Sequence, residues 1–185
     1  MQAGTALGTD VPVARPATDV DALTVAMLAE RTFREAFGAQ NPPDEMERHC
    51  REHFGAAIQA REIADAGRVT LLMEVRGEPV GFAQLRWDAP PDCVAGAAPG
   101  EIQRFYLLRA FHGAGLAATL MDACFDVLRH RGSDVAWLGV WEENPRAIAF
   151  YRKRGFDEVG RKTFLLGEDV QRDLVMVKPL SGPSR

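Results

Sequence analysis

The strongest constraint on the fold is a glycine-rich stretch between a strand pattern and a long helical pattern. The strand pattern covers residues 101–108, and the helical pattern over 112–132 begins with His-Gly-Ala-Gly-Leu-Ala. Gly113 and Gly115 let the backbone approach a ligand without a Cβ clash. A helix that begins there presents unpaired N–H groups and the positive end of its dipole, which suits a pyrophosphate. A tight turn that binds nothing is the alternative interpretation of the same residues.

The apolar periodicity of the rest of the chain predicts one mixed α/β domain over residues 11–180. A strand and two helices come first, followed by an antiparallel hairpin, a β-α-β-α series and two final strands. The predicted strands lie at about 11–15, 69–75, 79–87, 101–108, 135–140, 156–165 and 170–178. The predicted helices lie at about 19–37, 44–63 with a break at Gly55, 112–132 and 145–154.

Further expectations concern the chain ends, one loop and the first helix. Residues 1–10 and 181–185 are mostly small and polar, which predicts a disordered N-terminal extension and a frayed tail. The loop at 88–100 is long for a compact domain, and such loops are often functional. Helical spacing in the first helix predicts a buried stripe of Val20, Leu23, Met27, Phe33 and Phe37.

Charge and composition exclude several classes of protein. The chain has 185 residues and a formal net charge of −4, whereas a general nucleic-acid-binding domain carries a basic excess. No apolar run approaches the roughly 20 residues of a membrane helix, and the N-terminus lacks the basic and apolar regions of a secretory signal. Three widely spaced cysteines, Cys50, Cys93 and Cys124, predict a reducing compartment and therefore a cytoplasmic protein.

Two motifs point to other classes of protein. Residues 49–53, His-Cys-Arg-Glu-His, match the H-x-x-E-H pattern of zinc metalloproteases, but the apolar stripe of their predicted helix already explains the spacing. Gly113, Gly115 and Ala118 match a dinucleotide-binding fingerprint. That fingerprint belongs to the first βαβ unit of a sheet, and too few residues follow it here for a second mononucleotide-binding half. A nicotinamide oxidoreductase is therefore the weaker alternative.

A further motif lies on the last predicted helix. Asn144, Ala147 and Tyr151 are followed by the pair Gly155 and Phe156. Ala147 and Tyr151 are four residues apart, so they share one face of the helix. A tyrosine in this position can donate a proton from a hydroxyl whose ordinary pKa is about 10. An aromatic contact in the core is the alternative interpretation.

Together these motifs resemble the GNAT superfamily of N-acetyltransferases. Residues 112–117 resemble its acetyl-CoA motif, [QR]-x-x-G-x-[GA], with His112 where Gln or Arg is usual. The motif from Asn144 to Phe156 resembles the family signature Asn…Ala-x-x-x-Tyr…Gly-Phe. The bacterial spermidine/spermine acetyltransferase-like branch is resembled by four segments, at 32–46, 101–108, 137–151 and 164–176.

The resemblance implies an α/β GNAT fold. That fold has a mostly antiparallel mixed sheet of about six or seven strands, in which the fourth and fifth strands splay apart, flanked by about four helices. The resemblance also implies acetyl-CoA as cosubstrate and no metal. The residues it implies for acetyl-CoA binding are Phe105, Tyr106, Leu107, His112, Gly113, Ala114, Gly115, Leu116, Ala117, Asn144, Ala147 and Tyr151.

Catalytic roles follow from the same resemblance. Tyr151 would protonate the leaving thiolate, the N–H of Phe105 would polarise the thioester carbonyl, and the main chain of Leu107 would hold the pantetheine arm. Glu101 would be the general base and would work through water, because roughly 13 Å of strand separates it from Phe105. Without a bulge, Glu101, Gln103, Phe105 and Leu107 would share one face of the strand. The alternative interpretation is that Glu101 is an exposed carboxylate at the end of a strand, without a catalytic role.

The acceptor is expected to be the primary amine of a small molecule, with a polyamine such as spermidine or spermine favoured. Glu142, Glu143 and Phe33 are candidate acceptor-binding residues, since carboxylates suit a cation. Solvated charges before a helix are the alternative for the two glutamates. One alternative function is acetylation of an amine of a protein, peptide or amino acid. Another is a non-catalytic acyl-CoA-binding sensor on the same fold. No nucleic-acid or membrane partner is expected, and a homodimer is predicted.

Overall fold

Seven strands and five α-helices form in the computed structural model, which describes residues 11–39, 41–166 and 169–180. The strands are β1 (Val13–Pro16), β2 (Arg68–Val75), β3 (Glu78–Arg86), β4 (Pro99–Leu107), β5 (Val135–Trp141), β6 (Asp157–Leu166) and β7 (Asp169–Pro179). The helices are α1 (Ala22–Phe37), α2 (Pro43–His53), α3 (Ala56–Ala64), α4 (Leu116–His130) and α5 (Pro145–Lys153). Short 3-10 turns precede α1 and α4, at Asp19–Asp21 and Arg109–Phe111.

The strands form one mixed sheet in the order β1-β2-β3-β4-β5-β7-β6. Every neighbouring pair is antiparallel except β4 and β5, which are parallel and joined by α4. The predicted α/β fold class is confirmed, including the hairpin of β2 and β3 and the mixed character of the sheet. The predicted N-terminal extension (1–10) and tail (181–185) lie outside the described residues.

Two predicted helices have different limits in the structure. The helix predicted over 44–63 divides into α2 and α3 at the predicted break, because the backbone leaves helical geometry at Phe54 and Gly55. The helix predicted from 112 begins at Leu116 instead. Its N-cap is Gly115, whose φ of 81° lies in the left-handed region, so the residues before it form a loop.

The buried stripe predicted for α1 is partly wrong. Val20, Leu23 and Met27 are 84%, 62% and 64% exposed, whereas Phe33 is buried as predicted. The sequence carries a second apolar stripe rich in alanine, and the small side chains of that stripe allow the helix to approach the sheet closely. The residues of α1 that are buried are Ala22, Val25, Ala26, Leu28, Ala29, Thr32 and Phe33.

Separate hydrophobic cores lie on the two faces of the sheet. One contains side chains of α4 and α5, such as Leu120 and Tyr151, and the other contains side chains of α1 and α2, such as Phe33. Neighbouring strand residues alternate between them: Leu71 belongs to the α4–α5 core and Leu72 to the α1–α2 core. The sheet therefore separates an α4–α5 face from an α1–α3 face.

The parallel pair β4 and β5 separates after a short contact. Residues 99–101 of β4 pair with 135–137 of β5, and the later residues of the two strands do not pair with each other. On its other side, β4 pairs with β3 as far as Leu107. The result is a cleft in the middle of the sheet, which agrees with the splayed pair implied by the resemblance.

Candidate active site

The edge of β4 that lines this cleft carries free N–H groups. Leu108 donates its backbone N–H to Val80 of β3 at 2.9 Å. Because N–H directions alternate along a strand, Tyr106 points the same way and the N–H groups of Phe105 and Leu107 point into the cleft. These are the two residues for which main-chain contacts to the cosubstrate are predicted, and the cleft leaves room for such contacts.

The loop before α4 presents a row of backbone donors. Among the described residues, no backbone carbonyl accepts a hydrogen bond from the N–H groups of residues 113–117. Gly113 and Gly115 have φ angles of 85° and 81°, and a Cβ at either position would meet no atom within 4 Å. Their backbone conformation requires glycine, and the space in front of them is open. The positive end of the α4 dipole adds to this site, which therefore fits a pyrophosphate.

His112 attaches this loop to the cleft. Its Nε2 lies 2.8 Å from the carbonyl oxygen of Leu107, close enough for the ring N–H to donate a hydrogen bond. Leu107 keeps its N–H and the second lone pair of its carbonyl oxygen for a ligand. The residue that departs from the family motif thus links the phosphate loop to the strand predicted to hold the pantetheine arm.

Helix α5 closes the other side of the cleft. Asn144 caps it, accepting a hydrogen bond at Oδ1 from the N–H of Ala147 at 3.1 Å, so its side-chain amide still has its N–H donors for a ligand. Tyr151 follows on the same helix, and its ring makes an edge contact with Phe105 of β4 at 6.3 Å between centroids. The tyrosine therefore lies beside the strand residue whose N–H faces the cleft.

Burial raises the pKa of Tyr151, and the nearby Tyr106 and Cys124 add to the shift. Its hydroxyl makes no hydrogen bond to any side chain or carbonyl of the described residues. A protonated and unpartnered phenol is available to donate a hydrogen bond or a proton to a ligand atom in the cleft.

Glu101 is buried and ion-paired. It is 2% exposed, the Nε of Arg86 donates to its Oε2, and its Oε1 lies 4.0 Å from Nζ of Lys162. The carboxylate of Glu101 is therefore flanked by two cationic side chains.

A bulge in β4 changes the predicted face of Glu101. Leu85 of β3 pairs with Ile102 and Gln84 pairs with Arg104, so Gln103 is an extra residue on β4. Glu101 consequently faces the α1–α3 side, whereas Phe105 stacks on Phe150 of α5 on the other side. Glu101 and Phe105 would share one face only in a strand without a bulge, and β4 contains one.

The predicted acceptor residues are dispersed. Glu142 lies 3.7 Å from Arg161 of β6 and lines a cavity of about 730 Å³ beside α5. Glu143 is exposed at the turn before α5. Phe33 is buried under α2, where its ring stacks on His49 at 4.5 Å. The structure does not bring these three side chains together.

A residue group that the sequence analysis missed lies on the α1–α3 face beside the cleft. Asp173 of β7 and Lys162 of β6 are cross-strand partners, and both reach over Gly139 of β5. The alternating pattern of β7 could have placed Asp173 on a sheet face. It could not have shown which strand lies beside it.

The H-x-x-E-H motif has a structural explanation. His49 packs between Phe33 and His53, with centroid distances of 4.5 and 4.3 Å, and its burial lowers its pKa to about 4. Within residues 11–39, 41–166 and 169–180, no group of three His, Cys, Asp or Glu side chains is arranged to hold a metal. The thiols of Cys50, Cys93 and Cys124 are free. No helix in the described part of the chain is long and apolar enough to cross a membrane.

Comparison with known proteins agrees with this geometry. The model of the acetyltransferase (GNAT) family matches residues 28–156, so the chain belongs to that family. An uncharacterised N-acetyltransferase of Mycobacterium bovis is 34% identical over 163 residues, which cover 88% of this chain and 99% of the relative. Another, from Lactobacillus delbrueckii subsp. lactis, is 31% identical over 153 residues, covering 83% and 88%.

A solved structure shows the same fold. It is the PaiA N-acetyltransferase from Thermoplasma acidophilum in complex with coenzyme A, with a TM-score of 0.75, 18% identity, and coverage of 91% of this chain and 99% of that one. Its membership of the acetyltransferase family and its likeness to relatives named N-acetyltransferases identify the chain as an N-acetyltransferase that uses acetyl-CoA as cosubstrate.

Proposed function

We propose that this enzyme transfers the acetyl group of acetyl-CoA to a primary amine of a small molecule, with a polyamine such as spermidine or spermine favoured. The amine attacks the thioester directly while both substrates are bound. The observation that carries this proposal is the cleft between β4 and β5. Its β4 edge presents the N–H groups of Phe105 and Leu107. The ring of Tyr151 on α5 contacts the ring of Phe105.

The residues around the cleft divide the work of holding the cosubstrate. The N–H groups of residues 113–117 bind the pyrophosphate. The N–H of Leu107 and the side-chain amide of Asn144 hold the pantetheine arm. The N–H of Phe105 donates to the thioester oxygen, where negative charge develops in the transition state.

Two side chains handle protons. Tyr151 donates to the leaving sulfur, and its raised pKa keeps the phenol protonated at neutral pH. An alkyl ammonium has a pKa near that of lysine, about 10.4, so a proton must leave the acceptor before it attacks. Glu101 is the proposed base. It receives that proton through water, because it lies on the face of β4 opposite Phe105 and is already paired with Arg86.

We also propose that the enzyme acts in the cytoplasm, which its three free cysteines support. The homodimer remains a prediction, to be measured by light scattering on the purified chain.

The function is tested by incubating the protein with acetyl-CoA and separate amines: spermidine, spermine, free amino acids and short peptides. Release of the coenzyme A thiol and the mass of the product are recorded together. We expect thiol release and a monoacetylated polyamine. Acetylation of peptides or amino acids alone would replace the polyamine as acceptor. Tight acetyl-CoA binding without turnover on any amine would indicate an acyl-CoA sensor and contradict the proposal.

A further inference from the structure

A notch interrupts the α1–α3 face of β5. Three consecutive β5 positions on this face are Trp137, Gly139 and Trp141. Trp137 is covered by Val94 of the loop after β3, and the Trp141 ring contacts Phe37 of α1 at 5.9 Å. Gly139 has no side chain to fill the interval between the two rings. Gly139 lies beyond residues 135–137, the part of β5 that pairs with β4, so the notch lies where the two strands have separated.

The walls of the notch come from the two last strands. A Cβ built on Gly139 would lie 2.5 Å from Cε of Lys162, 2.8 Å from its Nζ and 3.0 Å from Oδ2 of Asp173. The lysine and the aspartate are cross-strand partners on β6 and β7. Both side chains thus lie directly over the glycine, in space that any larger residue would occupy.

Asp173 has unused hydrogen-bonding capacity. No described residue donates a hydrogen bond to its carboxylate or forms an ion pair with it. The charged or titratable groups that face it are Lys162 on β6 and Tyr106 on β4. Burial raises the pKa of Asp173 and Lys162 partly offsets the shift. A half-buried carboxylate without a donor is costly to keep, and a cationic ligand would satisfy it.

The ammonium group of Lys162 lies in the notch and indicates which kind of ligand the notch can bind. Its Nζ lies 5.5 Å from the centroid of the Trp137 ring and 4.0 Å from Oε1 of Glu101, and Asp173 reaches over the same glycine, Gly139. An aromatic face with two carboxylates is a suitable environment for an ammonium ion. The lysine side chain is 33% exposed, so it has room to leave the notch.

We propose that this notch is the acceptor's cation site: Asp173 and the Trp137 ring bind an aliphatic ammonium group, and the ammonium of Lys162 occupies the same place until the acceptor displaces it. The inference rests on the proposed function and specifies its acceptor as a cationic alkylamine. It makes Asp173 a specificity-determining residue and Lys162 a competitor of the substrate. The two residues, although they are neighbours with opposite charges, therefore affect acceptor binding with opposite signs.

Calorimetric titration of spermidine into the protein saturated with coenzyme A tests this directly, because no turnover occurs. In Asp173→Asn we expect spermidine to bind at least tenfold more weakly, since a charge-assisted contact is lost. In Lys162→Gln we expect tighter binding, by threefold or more, since the competing ammonium is removed. Asp126→Asn removes one negative charge from the exposed surface of α4 and should leave the affinity unchanged.

Changes of the same sign in Asp173→Asn and Lys162→Gln would overturn the proposal, because a merely structural pair would weaken binding in both. Unchanged affinity in either variant would also overturn it, as would the absence of spermidine binding to the wild-type complex. Circular dichroism shows whether each variant is folded. A failure of the proposed function is seen separately, as no thiol release with any amine.

Discussion

Tyr151 illustrates how a single residue acquires its chemistry from its surroundings. Phe105, Phe150 and Phe156 surround its ring with edge contacts, and this burial raises the pKa of the phenol. The group therefore stays protonated across the range in which enzymes work, and its titration contributes no limb to the pH profile near neutrality. A raised pKa also makes the phenol of Tyr151 a weaker acid. Its main contribution is therefore a hydrogen bond to the developing thiolate.

Replacing this hydroxyl tests that role. Tyr151→Phe keeps the ring, so KM for acetyl-CoA should change little, whereas kcat should fall by about 10²–10⁴, the usual effect of one acid–base group. Single-turnover rates should fall by the same factor if chemistry limits the wild-type rate. A wild-type kcat together with a wild-type single-turnover rate would show that water or another group supplies the proton.

The predicted base is tested by Glu101→Gln, which keeps size and hydrogen-bonding shape but not basicity. We expect a lower kcat that partly recovers at high pH, where the free amine is already neutral. The rise of kcat/KM with pH should then follow the deprotonation of the amine alone. Glu142→Gln and Glu143→Gln should instead mainly raise KM for a cationic acceptor. If Glu101→Gln keeps the wild-type pH profile, the base lies on another element.

The half-buried carboxylate of Asp173 should also lower the stability of the folded protein. Because its pKa is raised in the folded protein, folding favours the protonated form, so its contribution to stability is lost as the pH rises through the folded pKa. At neutral pH, Asp173→Asn should therefore raise Tm by about 2–4 °C, which corresponds to about 1 kcal/mol for a chain of this length. The gain should shrink toward pH 4. Thermal melts at pH 4 and pH 7 that show a lower Tm at both would contradict this.

At the scale of elements, the bulge of β4 is held by α3. Arg104, beside the extra residue Gln103, binds Glu62 of α3 at 2.7 Å and also Gln84 of β3. Gln84 in turn donates to the buried Gln59 of α3 at 3.1 Å. A helix remote from the cosubstrate thus stabilises the backbone geometry that turns Glu101 and Phe105 to opposite faces of the sheet.

The loop before α4 gives a prediction with a matched control. Gly115→Val should abolish measurable acetyl-CoA binding in calorimetry, because the side chain would stand where the backbone approaches the pyrophosphate. Gly132→Val has the same φ of 81° and equally open surroundings at the other end of α4, so it carries the same backbone strain, about 1–3 kcal/mol. It should retain wild-type affinity. Equal affinity in the two folded variants would contradict the assignment of the loop.

For the whole molecule, the features predicted well are local in the sequence. The glycine-rich stretch between β4 and α4 and the start of α5 at Pro145 depend only on neighbouring residues, so the sequence pattern predicts them. The ion pair of Glu101 with Arg86 and the notch over Gly139 depend on strand pairing across long stretches of chain. The buried side of α1 was mispredicted because two apolar stripes compete there and only packing on the sheet decides between them.

The separation of the two faces leads to a prediction for the whole enzyme. Asp173 and Lys162 lie on the α1–α3 face, whereas the phosphate loop begins α4 on the other. Asp173→Asn and Lys162→Gln should therefore bind coenzyme A with the wild-type Kd, since distant sites without shared partners are close to independent. A change of threefold or more in that Kd would show that β5 couples the two sites.

The family match ends at Phe156, one residue before β6 begins, so the strand pair that carries Lys162 and Asp173 lies entirely beyond it. Among the described residues, β5 is the one strand outside this pair that hydrogen-bonds to it. Because the proposed acceptor site lies on this pair, we predict that exchanging the β6–β7 hairpin for one of the same register changes the preferred acceptor and leaves the Kd for coenzyme A unchanged.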